Sequence, residues 1–257
     1  MKRIAIAVLA ALTCACAPPA ETPPAAPTEL APLSLPMADA AGNRMEPLTE
    51  QNGRWCSSDG VWCVVRGESA VTFTRNGAET ELLRFSEETG TPDVWPVIVR
   101  EPNDASVVIG LGWTENQMYS GGGGQATKVT LYRVTQGSAL IPEVGTWPSA
   151  GSISIRACFD EDDARARRDA CVDQYDFNGQ LALDPANASG PPRFVLTTLA
   201  TSYPGVRTRN SDSTTAPPLA ASDLVAARNG TCSYTRTMTF DEESFAYDSE
   251  PPACEDY

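Results

Sequence analysis

The chain has 257 residues, with 19 lysines and arginines against 33 aspartates and glutamates, a net charge of −14, and no histidine. That balance excludes nucleic acid as a partner, because phosphate binding rests on clustered Lys and Arg. The missing histidine excludes Ser-His-Asp and Cys-His catalysis and every histidine metal site.

The chain opens with Lys2 and Arg3, followed by an apolar run from Ile4 to Leu12. A positive start and a short apolar core describe a secretory signal, well short of the roughly twenty apolar residues of a membrane span. Two cuts compete. Ala15-Cys16-Ala17 has the small-x-small pattern of ordinary signal peptidase, but Pro18 would follow that cut, and proline fits poorly in an extended protease site. The other cut falls before Cys16. Here Thr13-Cys14-Ala15-Cys16 resembles the bacterial lipoprotein lipobox, with Thr13 in place of the usual Leu and Cys14 in place of Ser or Ala. The resemblance covers four residues and implies a signal peptide over 1–15 and a lipid on Cys16. It places the chain in a bacterial cell envelope, anchored in the outer membrane and facing the periplasm. The stretch from Ala17 to Pro36 is rich in Pro and Ala and has no helical or strand period, as expected of a semi-rigid tether. The tether is drawn over 16–47 and the folded domain over 48–257.

From Gly53 onward the pattern is that of strands. Val71 and Phe73 alternate with Thr72 and Thr74, and Val107, Ile109, Leu111 and Trp113 share one face opposite Gly110 and Gly112. Ile153 and Ile155 alternate with Ser152 and Ser154, and Tyr234, Met238 and Phe240 with Thr235, Thr237 and Thr239. Period-two alternation marks half-buried antiparallel strands. Asn76-Gly77 and Asn229-Gly230 are hairpin signals. The expected fold is all-β, an antiparallel sandwich or barrel-like domain, with a propeller as the alternative. Two short helices are expected, one over 161–170 capped by Asp160, the other at "DLVAAR" capped by Ser222. All five tryptophans precede residue 148, which suggests two halves, 48–147 and 148–257.

Cys56, Cys63, Cys158, Cys171, Cys232 and Cys254 form an even set after a secretory signal, which reads as disulfides. Neighbours along the chain group as 56–63, 158–171 and 232–254. A zinc site is not expected, since no pair has Cys-x-x-Cys spacing.

The remaining motifs are weak. "SGGGGQATK", Ser120 to Lys128, lacks the Gly-Lys-Ser/Thr order of a phosphate loop and reads as a flexible hairpin tip that could meet a partner. Lys128, the one lysine beyond the signal, reads as a solvent-facing strand residue. "DEDD", Asp160 to Asp163, lacks the calcium-loop glycine and reads as helix capping, and Asp173 and Asp176 lie close by. Asn187 and Asn229 are glycosylation sequons of consequence only in a eukaryotic secretory pathway. No catalytic residue, metal or cofactor is assigned. The expected function is a monomeric envelope lipoprotein with a binding or structural role, meeting the membrane through its lipid and an envelope protein or glycan through its domain. The alternative is a carboxylate-dependent glycan hydrolase, which needs only two acids and a water.

Overall fold

The computed structural model describes residues 29–86, 90–137, 141–213, 215–248, 250 and 254. The signal segment, Cys16 and the first part of the tether, 16–28, lie outside the described residues. The strands, in chain order, are β1 (Met37–Ala38), β2 (Arg44–Pro47), β3 (Thr49–Gln51), β4 (Arg54–Cys56), β5 (Trp62–Arg66), β6 (Ala70–Arg75), β7 (Ala78–Arg84) and β8 (Asp93–Arg100). There follow β9 (Ser106–Tyr119), β10 (Gly122–Thr135), β11 (Glu143–Arg156), helix α1 (Glu161–Ala166), β12 (Val172–Leu183) and β13 (Phe194–Tyr203). Four short strands complete the chain: β14 (Ala227–Arg228), β15 (Thr235–Met238), β16 (Phe240–Asp241) and β17 (Ala246–Tyr247).

The fold is all-β and antiparallel. Strands β3 to β7 form a five-stranded meander, and a ten-stranded sheet runs β1-β2-β8-β9-β10-β11-β12-β13-β14, with β15 also paired to β13. The folded region begins earlier than position 48, because Met45 and Asn43 are fully buried and β2 pairs with β8. The continuous strand β11 carries the chain through residues 147 and 148.

Two cores organise these sheets. The meander contributes Trp62, Val64, Val71 and Phe73, which pack on Ile98, Val107, Ile109 and Leu111 of β8 and β9 as a local sandwich. On the opposite side, residues from β2 and β8 through β13 converge in a second cluster that includes Met45, Val108, Leu131, Trp147, Leu181 and Phe194. Side chains from so many strands can share one cluster only if the sheet curls, and it does so into a half-barrel. β9 is therefore buried on both faces from Ser106 to Gly112, where alternation alone implied one. Gly110 makes this possible. A Cβ there would lie 2.8 Å from Val129 Cγ1 and 2.9 Å from Trp95.

The local signals fared unevenly. Asn76 and Gly77 both have positive φ, at 49° and 81°, and turn β6 into β7 as expected. Asn229-Gly230 makes no hairpin, because β14 and β15 each pair with β13 rather than with each other. Its side chain instead accepts hydrogen bonds from the Thr231 and Cys232 amides, both at 3.0 Å. Asp160 caps α1 by accepting from the amides of Asp162 and Asp163 at 2.9 Å, but the helix stops at Ala166 rather than 170. Arg168 and Asp169 leave the helical region with φ of 54° and 66°. The second helix does not form. Ala221–Asp223 is a single 3-10 turn, and Ala227 and Arg228 are drawn into the edge of β13. So short an apolar run cannot offset the cost of helix nucleation when a sheet edge competes for it. Ser120 and Gly121 make the expected tip of the β9–β10 hairpin, but Gly122 to Gly124 lie within β10, and a Cβ on Gly122 would collide with the Ser154 carbonyl.

Disulfides join Cys56 to Cys63, Cys158 to Cys171 and Cys232 to Cys254, with Cα–Cα distances of 4.1, 4.8 and 5.2 Å. Each bridge of this kind contributes about 2–4 kcal/mol by restricting the unfolded chain.

The two sheets are also tied by charge. Arg100 of β8, 7% exposed, reaches Asp104 through Nε and Nη2, and Asp59 and Glu46 through Nη1 at 2.7 and 3.1 Å. Asp59 sits in the turn between β4 and β5, so Arg100 links the meander to the large sheet. Burial would raise the Asp59 pKa, but hydrogen bonds from Ser57, Arg100 and the Val61 amide, with the Arg100 charge, outweigh it and leave the carboxyl at about 2. A depressed folded pKa stabilises the fold above the ordinary value of 3.8, and that contribution is lost as pH falls through about 2. Asp59→Asn should therefore be less stable than the parent at pH 5, and the gap should narrow sharply towards pH 2. Urea unfolding of both proteins at the two pH values checks this; a gap of undiminished size at pH 2 would show that the charge is not its source.

Candidate functional site

The site begins with residue size in two rows across the sheet. The register sets Ala126 of β10 opposite Gly151 of β11, Gly151 opposite Phe177 of β12, and Phe177 opposite Ala200 of β13. The next row runs Gly124, Ile153, Tyr175, Ser202. Cross-strand neighbours share a face, so small residues on β10 and β11 lie beside two large rings on β12. The missing side chains leave a hollow, and the rings wall it.

A bulge lies beside it. The pairing of β10 with β11 slips between Thr127–Ala150 and Lys128–Pro148, leaving Ser149 as the extra residue, and Lys128 and Pro148 both line the cavity. Tyr234 and Cys254, the latter held by its disulfide to Cys232, line the cavity as well. Its volume is about 260 Å3. Small-molecule sites commonly hold about 300–1,000 Å3, so this one suits a small ligand.

The electrostatics are simple. Among the described residues lining the cavity, Lys128 is the one charged side chain, and no aspartate or glutamate takes part. Burial raises the Tyr234 phenol pKa, with Arg236 pulling partly against it, so the ring stays neutral at physiological pH. Tyr175 and Phe177 are 2% and 8% exposed and are fixed in the wall. The result is an apolar, rigid hollow with one ammonium at its mouth.

The acids singled out in the sequence do not converge there. Asp160 caps α1, Asp163 accepts from the Phe159 amide at 2.9 Å, and Asp162 pairs with Arg165 at 2.6 Å. Asp173 is buried against Arg167 and Ser213, and Asp176 accepts from Gln174 at 2.9 Å. Among the described residues, no group of three His, Cys, Asp or Glu is placed to hold a metal ion. Asn187 is 6% exposed, and its amide donates to Asp39 and the Pro191 carbonyl, so this sequon is closed to a glycan. Lys128 faces outward in its strand, as expected, and also lines the cavity. The signal existed in the sequence: Gly and Ala recur at positions 124, 126 and 151, where strand residues are normally large.

A second, more open cleft lies between the β16–β17 hairpin and the loop at Pro191. Arg133 forms its base, held by Glu101 at 2.6 Å and stacked 4.8 Å from the Phe240 ring centre and 5.5 Å from that of Phe245. Glu242 stands at its edge. Comparison of the chain with models of protein families, with curated proteins and with solved structures returns no match.

Proposed function

We propose that this chain is a ligand-binding domain, carried on a lipid-anchored tether at a bacterial envelope membrane, and that the cavity between β10, β11 and β12 is its site. The observation that carries the reading is the makeup of that cavity: an apolar hollow in a rigid sheet, without a carboxylate in its described lining. Binding requires concavity and apolar area, whereas hydrolysis of a glycan requires two converging acids, one of them with a raised pKa. The aspartates with displaced pKa values, Asp59, Asp104, Asp184 and Asp241, are all displaced downward. That direction suits ion pairing and capping and works against a general acid.

The hydrolase reading retains one foothold, the second cleft, where Glu101 and Glu242 accompany two phenyl rings. Glu101 is already committed to Arg133, whose Nη2 lies 2.6 Å from its carboxylate. Screening the purified protein against envelope glycans separates the readings. Turnover abolished by Glu101→Gln or Glu242→Gln would replace the binding proposal.

The anchor is tested independently. The mature chain is expected to begin at Cys16, to carry the mass of a diacylglyceryl group, and to partition into detergent. Cys16→Ser should release it to the soluble periplasmic fraction. A mature terminus at Pro18 without lipid mass would overturn the anchor and leave the cavity proposal standing.

A further inference from the structure

We infer that the ligand of this cavity is a monocarboxylate with a short apolar tail, whose tail lies against Tyr175 and Phe177 and whose head pairs with the Lys128 ammonium. The inference rests on the ligand-binding reading above and adds the chemistry of the ligand.

Among the described residues of the cavity, Lys128 stands alone as a charge. It is exposed at the mouth, opposite Trp113 on β9 and Pro148 on β11, neither of which carries charge. Among the described residues it makes no ion pair, although the chain carries 33 acids. Glu115 of β9 sits opposite Ala126 and so lies diagonal to Lys128, within reach of long side chains, yet the two form no ion pair. A lone cation beside an apolar hollow is complementary to an amphiphile with an anionic head.

The head is a carboxylate rather than a phosphate. Phosphate recognition favours the forked donors of arginine or a set of backbone amides, and the described lining offers one ammonium and no guanidinium. A doubly charged head would also meet the field of a chain with a net charge of −14. One ammonium matches one negative charge. The tail is short because the cavity is only about 260 Å3.

Octanoate, octanol and octylamine share one tail and differ only in the head, so calorimetric titration of the purified full chain with each isolates the head group. Octanoate should bind about fivefold tighter than octanol at low salt, an advantage that shrinks as salt is raised, with octylamine the weakest. Lys128→Gln should remove the advantage of octanoate and leave octanol binding unchanged, and Lys128→Arg should keep it. Gly151→Val should weaken all three, because the new Cβ fits in ordinary contact, 3.6 Å from that of Phe177, and its methyl groups fill the hollow. Equal binding of octanoate and octanol by the parent, both lost in Gly151→Val, would overturn the head-group assignment alone. Failure of all three to bind would overturn the cavity reading with it.

Discussion

Arg167→Met should lower the stability of the protein by about 3–5 kcal/mol, the cost typical of breaking a buried ion pair from one side. Arg167 and Asp173 are 3% and 1% exposed, and the pair is held by more than charge. Arg167 Nε donates to the Ala170 carbonyl at 2.9 Å, Nη2 donates to Asp173, and the other Asp173 oxygen accepts from Ser213. Around it, Leu219 donates its amide to the Ala166 carbonyl and Arg168 donates to the Leu219 carbonyl, both at 2.9 Å, so these contacts tie Ser213 and Leu219 to the end of α1 and the start of β12. The methionine would fill the space but leave a carboxylate buried without its partner. Arg167→Met with Asp173→Leu should recover most of the loss, because an apolar pair of similar volume carries no desolvation cost. Denaturant unfolding of the parent, both single variants and the double variant closes the cycle. A double variant no more stable than Arg167→Met would show that the hydrogen bonds to Ala170 and Ser213, rather than the buried charge, dominate.

Phe194→Ala should cost about 3–5 kcal/mol for a different reason, the cavity left at the centre of the half-barrel. Phe194 is fully buried, faces Leu183 of β12 and Met238 of β15 in the register, and lies 5.0 Å from the ring of Tyr247. Tyr247 is itself anchored by its hydroxyl, which donates to the Pro192 carbonyl at 2.9 Å. Removing the ring therefore loosens β12, β13, β15 and the β16–β17 hairpin together. A loss below about 1 kcal/mol in urea unfolding would mean that this cluster is not the common core of those strands.

The period-two signals were legible because they reflect local physics. Val71 and Phe73 against Thr72 and Thr74 report a sheet with one apolar face, and the strand β6 follows. The Asp160 cap and the Asn76-Gly77 turn were likewise written within a few residues. What could not be read depends on distant neighbours. Nothing in "SVVIGLG" announces that β9 will be covered on both faces, since the second cover is Trp95 on one strand and Val129 on another. "DLVAAR" has helical periodicity, but the edge of β13 claims Ala227 and Arg228. The cavity is of the same kind. Ala126, Gly151 and Phe177 are 25 and 26 positions apart in sequence and become one row only through register. Lys128 lines the cavity beside a register shift with β11 that leaves Ser149 unpaired, which no local pattern around the lysine contains.

The central claim is that this sheet binds a small apolar ligand in the hollow between β10, β11 and β12. Amide chemical-shift mapping by NMR, with octanoate titrated into the isotope-labelled protein, tests it most directly. The account predicts saturable shifts at Ala126, Lys128, Gly151 and Phe177, with the amides of Arg133, Phe240 and Phe245 unmoved. Shifts centred on Arg133 and Phe240 instead, or no saturable shift at Gly151 and Phe177, would contradict it.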